Sequence, residues 1–520
     1  MNLRLAAPGI LVAALLLMPF LNKPFTIDDP LFLREAKHAL VDPLHPADFE
    51  QVWNSGDRQK LSQFLLGGTL PAYVLAPVAA LGGPEWVAHL YQFLLLCGFL
   101  VASVSVARRL GCDPRQANTV GLLVASNPVT LAMAATCMPD VMAAMFGMAG
   151  MDRILLFREA RRWHAGLAAG LLLAAAVLCR ASTAPLLLAA SLLLLPPNWK
   201  RAAECLWPPG VAAVLAAVFV SLSRGPGAGA TVGAAFQTLA SAGNVPRNLV
   251  AFLCFQALAG PLLVYALFAR GMKFAGAVAV LVISGFALST VTGSANLVLY
   301  AVPAALGVCF LLACLLVACG TQYALPLTIW LGSGLVALPY VHMAAKYLLP
   351  GVPAAALLIV LHAARVRQQR YPLTVALLVA MGWISGALIV VGDTALASSQ
   401  RNAVDRLIAP RLKHGLQVWA GGQWAFLAYA EDAGAKALAN TPPLPQPGDY
   451  IVVSRLDYYG KLARLPIRRE LLYTQADNRC GPFVLNRRLG AGFYSIRFGY
   501  LPFAIGCAED NAYDIYRVLP

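Results

Sequence analysis

Carboxylates are scarce in the apolar part of this chain, and that scarcity singles out a few of them. Of the 24 acidic residues, 11 lie beyond residue 392, eight lie between residues 23 and 85, and five remain for residues 86–392. Asp113, Asp152, Glu159 and Glu204 fall at helix ends or in loops on one side of the apolar segments, where a solvated face accounts for them. The fifth, Asp140, stands in Met138-Pro139-Asp140 at the start of an apolar helix, on the same side as the pair Asp28-Asp29. A carboxylate at a membrane boundary is costly to desolvate, so it tends to be paired or to act. Acting, it can serve as a general base or hold a cation. Each acid also has a plain structural use, since Pro139-Asp140 and Asp29-Pro30 both read as helix starts that a carboxylate can cap. Consecutive helical residues point about 100° apart, so one of Asp28 and Asp29 can face a cavity while the other caps the helix Pro30 to Leu40. Arg180, Arg247 and Lys346 lie on the same side, suited to neutralising an anion or to snorkelling toward lipid headgroups.

The elements that hold these residues are membrane helices. The 520 residues are 59% hydrophobic and only 12% charged, against roughly 25% charged in soluble chains. A cytosolic enzyme, a disordered protein and a disulfide scaffold are excluded. Apolar runs near residues 4–22, 86–107, 116–134, 140–157, 164–181, 183–196, 205–222, 247–268, 273–291, 294–318, 324–343, 349–364 and 372–392 give about thirteen spans. The first reads as an uncleaved signal-anchor, because no small-x-small site follows it. With the N-terminus cytoplasmic, 15 basic residues of the membrane domain, residues 1–392, fall on the inner side against nine on the outer, and an odd number of spans puts the tail outside. The net charge of +15 is then topological. No Lys/Arg run exceeds a pair, which speaks against nucleic acid as a partner.

Residues 1–392 thus form a membrane domain with a long first outer loop, residues 23–85, and residues 393–520 form a small α/β domain on the outer face. In the loop, Phe64 to Leu81 is apolar but broken by Gly67-Gly68, Pro71 and Pro77, which favours interfacial or re-entrant helices. In the tail, β-like runs at Tyr450 to Ser454, Phe493 to Arg497 and Tyr513 to Val518 surround an expected helix at Trp424 to Leu438. Trp424, Tyr429, Tyr458, Tyr459 and Tyr494 suit core packing, with a carbohydrate-stacking platform as the other reading. Nine of the 11 cysteines sit in apolar helices as small hydrophobes. Cys480 and Cys507 lie in the polar tail and can pair if it faces an oxidising compartment.

Several motifs resemble one family in order. Pro24-Phe25-Thr26-Ile27-Asp28-Asp29-Pro30-Leu31-Phe32-Leu33, continuing to Asp42-Pro43-Leu44-His45-Pro46, resembles the first outer loop of bacterial GT-C-fold glycosyltransferases of family 39/83, the protein O-mannosyltransferase and aminoarabinose transferase class. Asn127-Pro128 and Thr136-Cys137-Met138-Pro139-Asp140 resemble the second outer loop with its acid. Lys346-Tyr347-Leu348-Leu349-Pro350 resembles a basic-Tyr-Leu-Leu-Pro element before a late helix. Gln423-Trp424-Ala425-Phe426 and Pro447-Gly448-Asp449 are similar to the outer domain of some members. The chain departs from the family at Gly67 to Tyr73, where many members carry His or Asn before Pro-Pro-Leu.

The resemblance implies a polytopic helical GT-C-like protein of the bacterial inner membrane with a periplasmic C-terminal domain. It implies transfer of a sugar from a polyprenyl-phosphate carrier to a lipid, polysaccharide or protein acceptor. Asp28 matches the catalytic acid, Asp29 its acidic neighbour, Asp140 the second-loop acid, and Lys346 the basic residue of the late motif. Arg180 stands where many members have Lys. On this reading Asp28 is the general base of an inverting displacement, Asp140 orients the acceptor or holds a divalent cation, and Lys346, Arg180 and Arg247 neutralise the leaving phosphate. The residues offer no metal site of adequate spacing, and no other cofactor is implied. The alternatives are a lipid or saccharide transporter or flippase, which requires ionisable residues at mid-membrane depth, and a non-catalytic envelope assembly protein that uses its acids as caps.

Overall fold

The protein's computed structural model describes residues 2–52, 58–64, 69–195, 202–223, 240–259, 297–366, 371–458 and 462–520. The expected span at 273–291, the far part of that at 247–268, Gly67-Gly68, Arg224 and Tyr459 lie outside them, as do the inner-side cations Lys200, Arg201, Arg270, Lys273, Arg367 and Arg370.

Helices follow the apolar runs because a continuous apolar stretch satisfies its backbone groups internally only as a helix. In chain order they are α1 (Asn2–Leu17), α2 (Asp29–Ala39), α3 (Leu70–Ala80), α4 (Glu85–Arg109), α5 (Pro114–Ala125), α6 (Pro128–Ala134), α7 (Asp140–Ala160) and α8 (Trp163–Cys179). There follow α9 (Pro185–Leu194), α10 (Ala202–Ser223), α11 (Val245–Ala259), α12 (Leu297–Ala318), α13 (Ala324–Leu331), α14 (Val352–Val366) and α15 (Tyr371–Ala403). Among the described residues five helical segments are long and apolar enough to cross a bilayer, or six if α5 and α6, bent by 61°, count as one. Others of the expected spans are shorter apolar helices. The bend falls at Pro128, which has no N–H, and Asn127 restarts the helix by accepting from the N–H groups of Val129 and Thr130.

Two expected spans end elsewhere. The helix expected over 324–343 stops at Leu331 and gives way to a 3-10 segment, Gly332–Ala337. Gly334 packs on the backbone of Tyr347, whose carbonyl oxygen would lie 2.8 Å from any Cβ there. The following loop is held by Asn248, whose Nδ2 donates to the carbonyls of Leu338 and Tyr340. Conversely, α15 runs on past residue 392, because Asp393 is not left exposed to lipid: it is buried against Lys23. Asp152, expected on a solvated face, is also buried, taking bonds from Ser105, Arg109 and Arg153.

The tail carries one mixed five-stranded sheet. Its strands are β1 (Val418–Gly421), β2 (Lys436–Ala437), β3 (Tyr450–Ser454), β4 (Arg469–Phe483) and β5 (Ala504–Val518), in the order β2-β1-β3-β5-β4. The α-helix after β1 is α16 (Trp424–Asp432), shorter than expected because Gly434 turns the chain at φ 101° into β2. Phe493 to Arg497 is not a sheet strand. Its backbone bonds go to the loop before Lys346, with Ala345 N–H donating to Phe493 O at 2.8 Å and Ile496 N–H to Met343 O at 3.1 Å. Cys480 and Cys507 face each other across β4 and β5 and form a disulfide.

Candidate active site

The Pro24 to Asp29 segment turns sharply before α2. Ile27, buried and β-branched, adopts φ 44°, a conformation that persists only where the surroundings impose it. Those surroundings are polar and buried. Lys23 Nζ contacts Asp393 Oδ2 at 2.6 Å, and Thr26 Oγ1 and Tyr494 OH both donate to Asp393 Oδ1, at 3.0 and 2.9 Å. Tyr429 of α16 adds a further tie: its OH accepts from Phe25 N–H at 2.7 Å and donates to Glu85 Oε1 at 3.2 Å. The end of α15 and the tail thereby fix the turn on which Asp28 stands.

Neither Asp28 nor Asp140 spends its carboxylate on capping. Asp28 occupies the N-cap position of α2 without a side-chain cap bond, and Asp140 begins α7 likewise. Asp28 is 23% exposed, and its Oδ2 lies 3.7 Å from Lys346 Nζ. Asp140 is buried, with Oδ1 at 3.0 Å from Arg180 Nε and Oδ2 without a hydrogen-bond partner among the described residues. Arg180 also lies over the ring of Tyr347 at 5.3 Å. Asp140 is thus paired with a cation and not grouped with other acids. Asp29 points away from that space. It is fully buried, accepting from Thr26 N–H at 3.1 Å and Cys137 N–H at 2.7 Å. Burial pushes its carboxyl up to about 7 against the pull of Lys23.

Lys346 and Arg180 converge on this space, and Arg247 stands beside it, bonded to Asn244 and to Val341 O at 2.6 Å. At the centre is His342, which the sequence alone did not single out. It is partly exposed, and burial together with Lys346, Arg497, Arg180 and Arg247 pushes it down to about 3. Arg497, also missed, arrives from the tail on the segment that bonds to residues 343–345. Four cations around one imidazole make a strongly electropositive cluster, flanked by Asp28 and Asp140. A buried trio, Asp29, His89 and Cys137, lies on the other side of Asp28's backbone, its ligand atoms all within 4.8 Å of one another. Among the described residues the tail aromatics form no platform: Tyr429 and Tyr494 are occupied as above, Tyr458 packs under the sheet, and Trp424 lies against Phe498.

Comparison with known proteins agrees with this architecture. A family model described as dolichyl-phosphate-mannose-protein mannosyltransferase matches residues 68–223. The apo crystal structure of ArnT from Cupriavidus metallidurans superposes with TM-score 0.50 at 15% identity, covering 90% of this chain and 95% of that one. ArnT from the same organism bound to undecaprenyl phosphate gives 0.49 at 16% identity, covering 90% and 96%. The Archaeoglobus fulgidus oligosaccharyltransferase gives 0.46 at 12% identity, covering 86% and 68%. No curated protein sequence matches. The chain has the GT-C glycosyltransferase fold, a multi-pass helical membrane domain carrying a small strand-containing C-terminal domain.

Proposed function

We propose that this protein transfers a sugar from a polyprenyl-phosphate carrier to an acceptor on the outer face of the bacterial inner membrane, with inversion. The observation that carries the reading is the accessible, uncapped Asp28 beside the cluster of Lys346, Arg180, Arg247 and Arg497. In the displacement, Asp28 takes the proton of an acceptor hydroxyl as its oxygen bonds to the anomeric carbon. The bond from that carbon to the phosphate oxygen breaks, and the carrier phosphate leaves with one more negative charge than it had. Cations aimed at that group therefore stabilise the transition state more than the bound donor. Asp140, held by Arg180, keeps a free oxygen to orient the acceptor. ArnT, whose fold this chain shares, is a protein that binds undecaprenyl phosphate, a carrier of the required kind.

The site would face the periplasm, with the N-terminus cytoplasmic, a placement the distribution of basic residues supports. Membranes containing the intact protein, supplied with a panel of polyprenyl-phosphate sugars, should yield a mass-resolved product with one of them. Asp28→Asn should abolish it while the protein still inserts and folds. Full activity in Asp28→Asn would remove the base assignment, and no transfer from any carrier-linked sugar would remove the reading itself.

A further inference from the structure

Asp29, His89 and Cys137 come from three separate places: the first residue of α2, the first turn of α4, and the turn between α6 and α7. Each is buried, and the carboxylate, imidazole and thiol atoms lie within 4.8 Å of one another. The tautomer of His89 follows from its other contact. Its Nδ1 lies 2.9 Å from the carbonyl oxygen of Leu21, and a carbonyl can only accept, so Nδ1 carries the proton and Nε2 presents a lone pair. That Nε2 is buried without a hydrogen-bond partner among the described residues. Leaving a buried acceptor unmatched costs about 1–3 kcal/mol. An imidazole oriented by a carbonyl at one nitrogen, unmatched at the other and within 4.8 Å of a carboxylate and a sulfur, has the features of a metal-ligating histidine with its outer shell in place.

The neighbouring groups fit the same purpose. Thr26 N–H and Cys137 N–H each hold one oxygen of Asp29, which fixes the carboxylate and leaves lone pairs free. Gln92 stands one turn beyond His89 on α4, its Nε2 donating to Met138 O at 2.9 Å, beside Cys137. Its Oε1 is buried without a partner among the described residues, on the same helix face as His89. Lys23 is already matched by Asp393 at 2.6 Å, so a divalent ion that binds here, with the Cys137 thiol proton released to solvent, is neutralised by a carboxylate and a thiolate.

We propose that Asp29, His89 and Cys137, with Gln92 Oε1 as the fourth donor, bind a zinc ion. A set of one sulfur, one nitrogen and two oxygens suits zinc, whereas magnesium and calcium prefer all-oxygen shells. Closed on all sides, the site is structural. It ties the backbone carrying Asp28 to α4 and to the turn that launches α7 at Asp140, so it sets the spacing of the two acids. Asp28 and Asp140 would be held as if on one rigid part.

The test needs no sugar donor, so its outcome stands apart from that of the transfer reading. Intact protein purified in detergent should retain one zinc per chain by elemental mass spectrometry. After stripping with a chelator it should take up Co2+ with intense visible d–d bands and a near-ultraviolet thiolate charge-transfer band. Cys137→Ser should lose the charge-transfer band, and His89→Gln should weaken Co2+ binding at least about tenfold. Should Cys137→Ser fail to fold, the His89→Gln result decides alone. Folded wild-type protein with neither zinc nor a thiolate–cobalt band overturns the proposal, as does a band that survives Cys137→Ser or an affinity unchanged in His89→Gln.

Discussion

Two acids of α7, Asp152 toward one end of the helical bundle and Asp140 at the other, are treated differently. At the end where α1 begins, Asp152 takes bonds from Ser105 Oγ at 2.5 Å, Arg109 Nε at 2.7 Å and Arg153 Nη2 at 2.5 Å. Glu159 shares the same Arg109 at 2.6 Å, and Asn2 bonds to Ser105, joining the chain start to the network. At the end where α1 finishes, Asp140 has, among the described residues, one paired cation and one oxygen without a hydrogen bond, and Asp28 stands 3.7 Å from Lys346, beyond hydrogen-bonding distance. A saturated network has no capacity left for anything else, so its worth is structural. An unsaturated one retains capacity for a ligand.

If that contrast is functional, substitutions at the two ends separate into losses of rate and losses of stability. Asp28→Asn should cost the most, about 10²–10⁴-fold in kcat with little change in folding, as removal of a general base does. Arg180→Met should follow, at about 10²–10³-fold in kcat/KM for carrier-linked sugar, the range for deleting one donor aimed at a developing charge. Asp152→Asn should leave transfer within the assay error but lower stability by about 1–3 kcal/mol, read as a drop in Tm of the detergent-purified protein. Asp113→Ala should cost least, about 1 kcal/mol, by removing the capping box that starts α5. A rate loss in Asp152→Asn as large as that in Arg180→Met would dissolve the contrast.

Much of this was legible because an apolar chain makes its few charges conspicuous. Asp28, Asp140, Arg180 and Lys346 stood out in sequence for that reason and converge in space. The residues that escaped notice are those whose meaning depends on distant partners. Asp393 lies 370 residues from Lys23, and one carboxylate opening a charged tail carries no mark of that pairing. Arg497 is one cation among many in the tail, and His342 draws attention only once four cations surround it. The strand β4 was invisible because it is exposed along nearly its whole length, so neither an apolar run nor an in-out alternation announces it. Its place is set by pairing with β5.

The helix α15 has 33 residues, so it is about 50 Å long, while the hydrocarbon layer is only about 30 Å thick. With Asp393 locked to Lys23, the surplus length acts as a mast of fixed height. The sheet is braced along that surplus, Ser399 bonding to Asp477 and Gly392 lying against the backbone of Pro482, so its position is tied to the turn that carries Asp28. A turn added to the mast, about 5.4 Å, would therefore reach the site directly, pulling on the bond between Tyr494 and Asp393 and on the segment that brings Arg497 to His342.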